Sequence, residues 1–368
     1  MPPCGRQNAI LVSSFIFLLI PCLSVAAQLE ASNWADIVGQ NFIVGIPGHA
    51  VDRQTEVGLR AIKPAGVVLY YRNYQSRSQI KQLIKRLQKI ARDSTGHAYF
   101  IMLDEEPGGA TRLGLFHHVF ITGFPDWWII RQDIGVLADL GINVELAPLA
   151  DYPFNCDTFM ARRLPPVRQM EDLMAFNQSF IRILHEHNIS ATLKHFPGMG
   201  VFVQDPHHEL PRLRVDEATL QKSLRLFHDG ISAGADFVMT AHGVYDNIDS
   251  ENSVVTSHKI VTGLLRETLG FQGIIVTDDF ADMRYSLNRE VDIGDVISAS
   301  LKAGHNLVMF SHRLEETKKI FAKVLERVVA DPELQAVVKN NYDRVIRFKK
   351  DKLRERSQLS QYPLNRLP

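Results

Sequence analysis

The chain predicts an α/β fold built as a single (β/α)8 TIM-type barrel, and two features predict it. Eight short apolar runs alternate with longer amphipathic stretches, and that alternation proceeds without a Ser/Gly linker, a low-complexity tract or a repeat of fixed period. The runs are Phe42 to Gly45, Gly66 to Tyr71, Tyr99 to Leu103, Val144 to Leu146, Ala191 to Leu193, Phe237 to Met239, Ile274 to Val276 and Leu307 to Phe310. Between them lie helical patterns such as Leu173, Phe176, Phe180 and Leu184, or Leu220, Leu224, Phe227 and Ile231. Their steps of three or four residues put one apolar stripe on the core side. A doubly wound open sheet is the alternative, because periodicity does not distinguish a closed sheet from an open one.

A chain of 368 residues that is 45% apolar has room for one large core or two modest ones, and a barrel commonly takes about 250 residues as one domain. Lys plus Arg equals Asp plus Glu at 41 each, so there is no global basic field and nucleic acid is not an expected partner. The basic end, Arg344 to Arg356, reads as the solvated face of a terminal helix, a C-terminal extension of the barrel.

The N-terminus has Arg6, an apolar run from Ala9 to Leu23, and then Ser24-Val25-Ala26-Ala27 before Gln28. That layout predicts a signal peptide over residues 1–27 and an exported, periplasmic barrel domain over 28–368. The alternative is an uncleaved anchor facing outward, which would be the chain's one link to a membrane. The run is shorter than the ~20 residues that span a bilayer comfortably. Of three cysteines, Cys4 and Cys22 fall in this signal, which leaves Cys156 alone and predicts no internal disulfide.

Ionisable residues gather after the candidate strands, which in a barrel is the face where sites form. Leu103 is followed by Asp104-Glu105-Glu106-Pro107-Gly108-Gly109 and then Arg112, Leu146 by Ala147-Pro148 and Asp151, and Leu193 by Lys194 and His195. Met239 leads to Thr240-Ala241-His242, and Val276 to Thr277-Asp278-Asp279. A strand-end Asp often only caps the next helix, and a lone His often only satisfies a backbone group. Five strands ending this way together point to a site.

The richest segment is Lys194-His195-Phe196-Pro197-Gly198-Met199-Gly200, followed by Asp205-Pro206-His207-His208-Glu209-Leu210-Pro211. It resembles the signature of bacterial β-N-acetylglucosaminidases of glycoside hydrolase family three, in which Lys-His-Phe-Pro-Gly leads to a loop of form Asp-x-His-x-x-x-Pro. Four further segments fit in the family's order, so the resemblance covers roughly residues 35 to 330. Met199 departs from it, standing where the family usually has a second His. The family's larger β-glucosidases add a second α/β domain that completes their site; the resemblance implies none here.

Glycoside hydrolysis needs one group to capture the oxocarbenium-like carbon and another to protonate the departing oxygen. The resemblance gives the first task to Asp278, the first Asp after Thr277 in the stretch Gly273 to Phe280. If the strand continues, Asp279 points the other way and serves as a cap or supporting group. For the second task the resemblance gives an Asp205–His207 dyad, in which the carboxylate orients the imidazole and stabilises its protonated form. His208 and Glu209 compete for that role, but the spacing from Asp205 and to Pro211 favours His207. Asp104, Arg112, Arg162, Lys194 and His195 are implied as substrate-hydroxyl binders, with Arg163 adjoining Arg162 as a rival. Pro107 and Gly109 alter the family's wording between Asp104 and Arg112.

The implied activity is a retaining exo-β-N-acetylglucosaminidase that removes non-reducing terminal GlcNAc from carbohydrate such as the GlcNAc–muramic acid fragments of peptidoglycan turnover, with no metal and no cofactor. Two other classes compete. His195, His207, His242 and Asp278 are the inventory of a metal-dependent barrel hydrolase, although no His-x-His at the first strand and no His-Glu-x-x-His accompanies them. A non-catalytic cell-wall sugar-binding protein is the other, and joint retention of Asp278, Asp205 and His207 speaks against it.

Overall fold

The computed structural model describes residues 34–116, 126–163, 169–282 and 291–359, leaving aside the side chains of Arg163 and of 354–359. The expected signal at 1–27, with Cys4 and Cys22, lies outside the described residues. In chain order the strands are β1 (Phe42–Gly45), β2 (Gly66–Leu69), β3 (Phe100–Leu103), β4 (Val144–Glu145) and β5 (Ser190–Phe196). There follow β6 (Arg212–Leu213), β7 (Phe237–Thr240), β8 (Val244–Tyr245), β9 (Ile274–Asp279) and β10 (Leu307–Phe310). All except β6 and β8 close into one parallel barrel, ordered β1-β2-β3-β4-β5-β7-β9-β10 and back to β1. Closure removes the open-sheet alternative. The extra pair, β6 and β8, forms a separate two-stranded sheet.

Two strands run further than the apolar pattern suggests. β5 continues to Phe196 and β9 to Asp279, so Lys194, His195, Asp278 and Asp279 lie within the ladder and not in the loops after it. Polar side chains end a hydrophobic run without ending backbone pairing, which is why composition misplaces these boundaries.

Side-chain alternation sorts the core into two layers. Ile43, Val68, Met102, Val144, Met239 and Val276 are among the buried residues filling the barrel interior. The larger cluster lies between strands and helices; it contains Leu173, Phe176, Phe180 and Leu184 from the helix Met170–Glu186, and Leu220, Leu224 and Phe227 from Glu217–Ser232. Both predicted stripes therefore face the core, with Ile231 only half-buried. Asp52, Asp126, Asp216 and Asp292 each accept a first-turn N–H as N-caps, which fixes where four of the helices start. Cys156 is free and exposed. Among the described residues no helix is long and apolar enough to cross a membrane.

The C-terminal helix Pro332–Leu359 does more than cover a surface. Val345, Phe348 and Leu353 pack into the interior cluster, and Phe348 meets Phe100 at 5.9 Å and Phe237 at 5.2 Å between ring centroids. Phe100 and Phe237 are the first residues of their strands, so this helix closes the N-terminal mouth of the barrel. Its basic face is not uniformly solvated as expected. Lys349 is 3% exposed, donates to Gln40 Oε1 at 2.9 Å and lies 5.0 Å from the centre of the Phe100 ring. Burial pulls its ammonium from 10.5 down to about 7.

Between those two values the unfolded chain holds a proton that the folded chain releases, so Lys349 costs stability fully below about pH 7 and progressively less as pH rises toward 10.5. Lys349→Met should therefore raise the melting temperature most at pH 6–7, with the gain shrinking by pH 9.5. A gain that stays constant across that range in thermal denaturation would refute the burial argument.

Candidate active site

The inward-facing register leads directly to the site. Counting by two from Phe100 and Met102 reaches Asp104, from Thr192 reaches Lys194, and from Ile274 and Val276 reaches Asp278. The interior is apolar through its lower layers and turns ionic at the C-terminal mouth. Two irregularities adjust what is presented there. The pairing of β5 with β7 slips between Lys194 and Phe196, so that His195 is the extra residue of a bulge and both Lys194 and His195 reach the mouth. A similar slip separates β9 from β10 between Val276 and Asp279.

Lys194 is the hub. Its ammonium, 3% exposed, lies 2.6 Å from Asp104 Oδ1 and 2.6 Å from Glu106 Oε1. Burial alone would lower its pKa, but the two carboxylates outweigh burial and hold it above its usual value. Asp104 Oδ2 receives Arg112 Nη2 at 2.5 Å. Arg112 can return to Asp104 because Glu105 folds the intervening loop, accepting the backbone N–H groups of Arg112, Leu113 and Leu115 at 2.6–2.7 Å. Glu106 takes the N–H of Ala110 at 2.7 Å, and a Cβ on Gly109 would collide with its carboxylate, so the altered wording at this turn suits this chain. Tyr70 stacks with both Arg112 and Arg72, at 4.8 and 4.7 Å.

His195 is oriented from behind by Asp151, whose Oδ2 meets its Nδ1 at 2.7 Å. Asp151 also accepts the backbone N–H groups of His195 and Met199. The opposite ring nitrogen, Nε2, faces Asp278 Oδ2 at 3.7 Å. Burial pushes the Asp278 carboxyl up, but His195 and the backbone N–H of Asp279 outweigh it and keep the pKa below the usual value. Asp279 differs. It turns toward β10, where it accepts the N–H of Ser311 at 3.0 Å and the Ser311 hydroxyl, and burial with the nearby Asp282 pushes it up to about 7. Adjacent carboxyls are thus driven apart, one ionised and the other partly protonated at neutral pH. His242, buried, is pushed down to about 4 by burial, so it is neutral beside the Asp278 backbone carbonyl.

The loop after β5 brings in the dyad. His207 Nδ1 lies 2.6 Å from Asp205 Oδ1, which also accepts the His207 backbone N–H. These bonds hold Asp205 below its usual pKa although partial burial opposes them. The loop is fastened near both ends: Ser223 Oγ donates to Pro197 O and Tyr245 hydroxyl to Gly198 O, while Val244 N donates to Pro211 O. β6 and β8 continue the second fastening.

Asp104, Arg112, Lys194, His195, His207 and Asp278 line one pocket at the mouth. His208 does not; its side chain is 81% exposed. Arg162 is not brought to the pocket either. Its guanidinium donates to the carbonyls of Asp157 and Val203, tying the turn after β4 to the dyad loop. Sequence reasoning passed over Tyr70 and Glu106, which do line the pocket, and gave Asp151 no task. Glu106 shares the parity that marks Asp104, and that was the available signal. As for metal ligation, His195, His207, His242 and Asp278 do not converge to chelating range among the described residues; Asp279, Asp282 and His312 do, within 4.8 Å.

Residues 35–348 match the model for the glycosyl hydrolase family 3 N-terminal domain. The chain is 27% identical over 296 residues to a beta-hexosaminidase of Xylella fastidiosa, covering 73% of this chain and 83% of that one. A solved beta-N-acetylhexosaminidase from Beutenbergia cavernae superposes with TM-score 0.76 at 26% identity, over 86% of this chain and 98% of that one. A family 3 beta-N-acetylglucosaminidase from a Paenibacillus species gives TM-score 0.75 at 26% identity, over 91% of this chain and 64% of that longer one.

Lys194→Met should remove the cation that Asp104 and Glu106 share, leaving two buried carboxylates with Arg112 on Asp104 alone, and cost about 3–5 kcal/mol of stability in urea unfolding. A loss under about 1 kcal/mol would mean that the ion triad does not hold this mouth together.

Proposed function

This chain belongs to glycosyl hydrolase family 3, and from that premise we propose that it is a retaining exo-β-N-acetylglucosaminidase acting on GlcNAc at non-reducing ends, with GlcNAc–muramic acid fragments of cell wall as substrate. The observation that carries the reading is the convergence of Asp278 and His207 on one pocket whose other wall is the Asp104–Lys194–Arg112 ion network. A carboxylate held ionised suits attack on the anomeric carbon, and an imidazole hydrogen-bonded to a carboxylate suits proton transfer to the leaving oxygen. The names of the relatives support the sugar and the linkage.

In the first step an Asp278 carboxylate oxygen bonds to C1 as the glycosidic bond breaks, and the departing oxygen takes the proton from His207. Water then attacks C1, gives its proton back to His207, and releases Asp278 with configuration retained. Asp104, Arg112 and Lys194 offer charged partners to the sugar hydroxyls, which fixes the ring while its carbon reacts. Asp151 keeps His195 aimed at the nucleophile.

Matched p-nitrophenyl β-GlcNAc and β-glucoside substrates test the class and the sugar together. Hydrolysis of the first, weak or no hydrolysis of the second, and loss of several orders of magnitude in Asp278→Asn are expected; equal inertness of wild type and variant would favour a binding protein instead. The dyad has its own test. His207→Ala should lose far more activity on poor leaving groups than on activated aryl glycosides, whereas His208→Ala should be mild on both. The reverse pattern would transfer the acid/base role to His208.

A further inference from the structure

The dyad sits on a stretch of chain that is held chiefly at its ends. Between Val203 and Pro211, among the described residues, every hydrogen bond stays within the turn built on Asp205. Side-chain packing apart, the His207 ring is therefore placed by where that stretch begins and finishes. Pro211 is held by Val244, whose N–H it accepts. The beginning is held by the segment that follows β4.

Three carbonyls of the dyad loop accept from that segment and its short helix, Phe159–Arg163. Gly200 O takes the N–H of Phe154 at 3.1 Å, Phe202 O takes that of Phe159 at 2.6 Å, and Val203 O takes Arg162 Nη2 at 2.8 Å. The two chains are pressed together: a Cβ on Gly200 would lie 1.8 Å from the carbonyl oxygen of Tyr152, so the contact requires glycine. The first two bonds are made by backbone and do not depend on the side chain, but the third depends on one residue. Arg162 also donates from Nη1 to Asp157 O at 2.6 Å, so its planar fork bridges its own turn to the last outside fastening before the dyad, two residues ahead of Asp205. The same helix reaches the working end of the loop, where the Phe159 ring lies 6.1 Å from that of His207, tilted by 55°.

We propose that Arg162 is a positioning residue for the acid/base. By bridging Asp157 to Val203 it fixes where the Asp205–His207 turn begins, and leaves the turn itself to carry the imidazole to the departing oxygen. This rests on the assignment of His207 given above, and it gives Arg162 a task other than holding the sugar.

The test is kcat/KM of the full chain on dinitrophenyl and phenyl β-GlcNAc, which share one sugar and differ in how much the leaving oxygen needs a proton. Their ratio is blind to sugar binding and to the fraction of enzyme that is folded, so it reads the proton donor. Arg162→Ala should raise the ratio of dinitrophenyl to phenyl about tenfold over wild type, a change of the size expected from losing one or two charge-assisted hydrogen bonds. His207→Ala should raise it further, and Arg162→Lys, which can serve one carbonyl but not both, should fall between wild type and Arg162→Ala. The exposed position of Arg162 lets these variants fold. A ratio unchanged in Arg162→Ala but raised in His207→Ala would overturn the positioning role and leave the acid/base where it is. A ratio unchanged in both would overturn the acid/base reading, and the role of Arg162 with it.

Discussion

The mouth of this barrel depends on one buried cation. Lys194 sits where the interior changes from hydrocarbon to ion, and its ammonium neutralises two carboxylates that have almost no access to water. Charges so placed are tolerated only when they are paired and hydrogen-bonded. The pairing in turn dictates the path of the β3 loop, because Asp104 also receives Arg112 and Glu106 also caps the turn that delivers it. Binding of substrate hydroxyls, as proposed for these residues, would therefore not be an addition to a finished scaffold. The same ion network that would meet a sugar keeps the loop in shape, and Glu105, gathering three backbone N–H groups, stiffens it from below.

Much of the fold and part of the site could be read from the chain. A period of two in the strands and of three to four in the helices is imposed by backbone geometry, so eight strands and the stripes on their helices were visible. Asp104, Lys194, His195 and Asp278 were visible for the same reason, each following an apolar run. What the pattern does not encode is contact across the barrel. Asp151 supports His195 from 44 positions away, and nothing local in Leu146 to Asp151 says so. Tyr70 reads as the end of an apolar run, yet its ring carries two guanidiniums. Arg162 was drawn in by resemblance, and the geometry shows its donors taken by two backbone carbonyls. Lys349 misled for a related reason: in a run of basic residues along a helix, the one that turns inward looks like its neighbours.

The two sides of the pocket are supported differently. Asp278 is carried by a strand of the barrel, between Thr277, which pairs with β7, and Asp279, which pairs with β10. His207 is carried by a loop secured at Pro197, Gly198, Gly200, Phe202, Val203 and Pro211, and by its own turn built on Asp205. That division suits the tasks proposed for the two residues. A nucleophile must be aimed to a fraction of an ångström, whereas a group that first gives a proton to one oxygen and then takes one from another benefits from some freedom.

The closure of the barrel also bears on how the chain is made. β1 has β10 as one of its two neighbours, and the N-terminal mouth is sealed by Val345, Phe348 and the buried Lys349, which reaches back to Gln40. A chain emerging from the ribosome from its N-terminus has the first strands available long before the partners that complete them. The interior cluster around Phe100 and Phe237 stays open to water until some 250 further residues have followed Phe100 into solution. Vectorial synthesis thus leaves the N-terminal mouth of the apolar interior uncovered for most of the chain's translation.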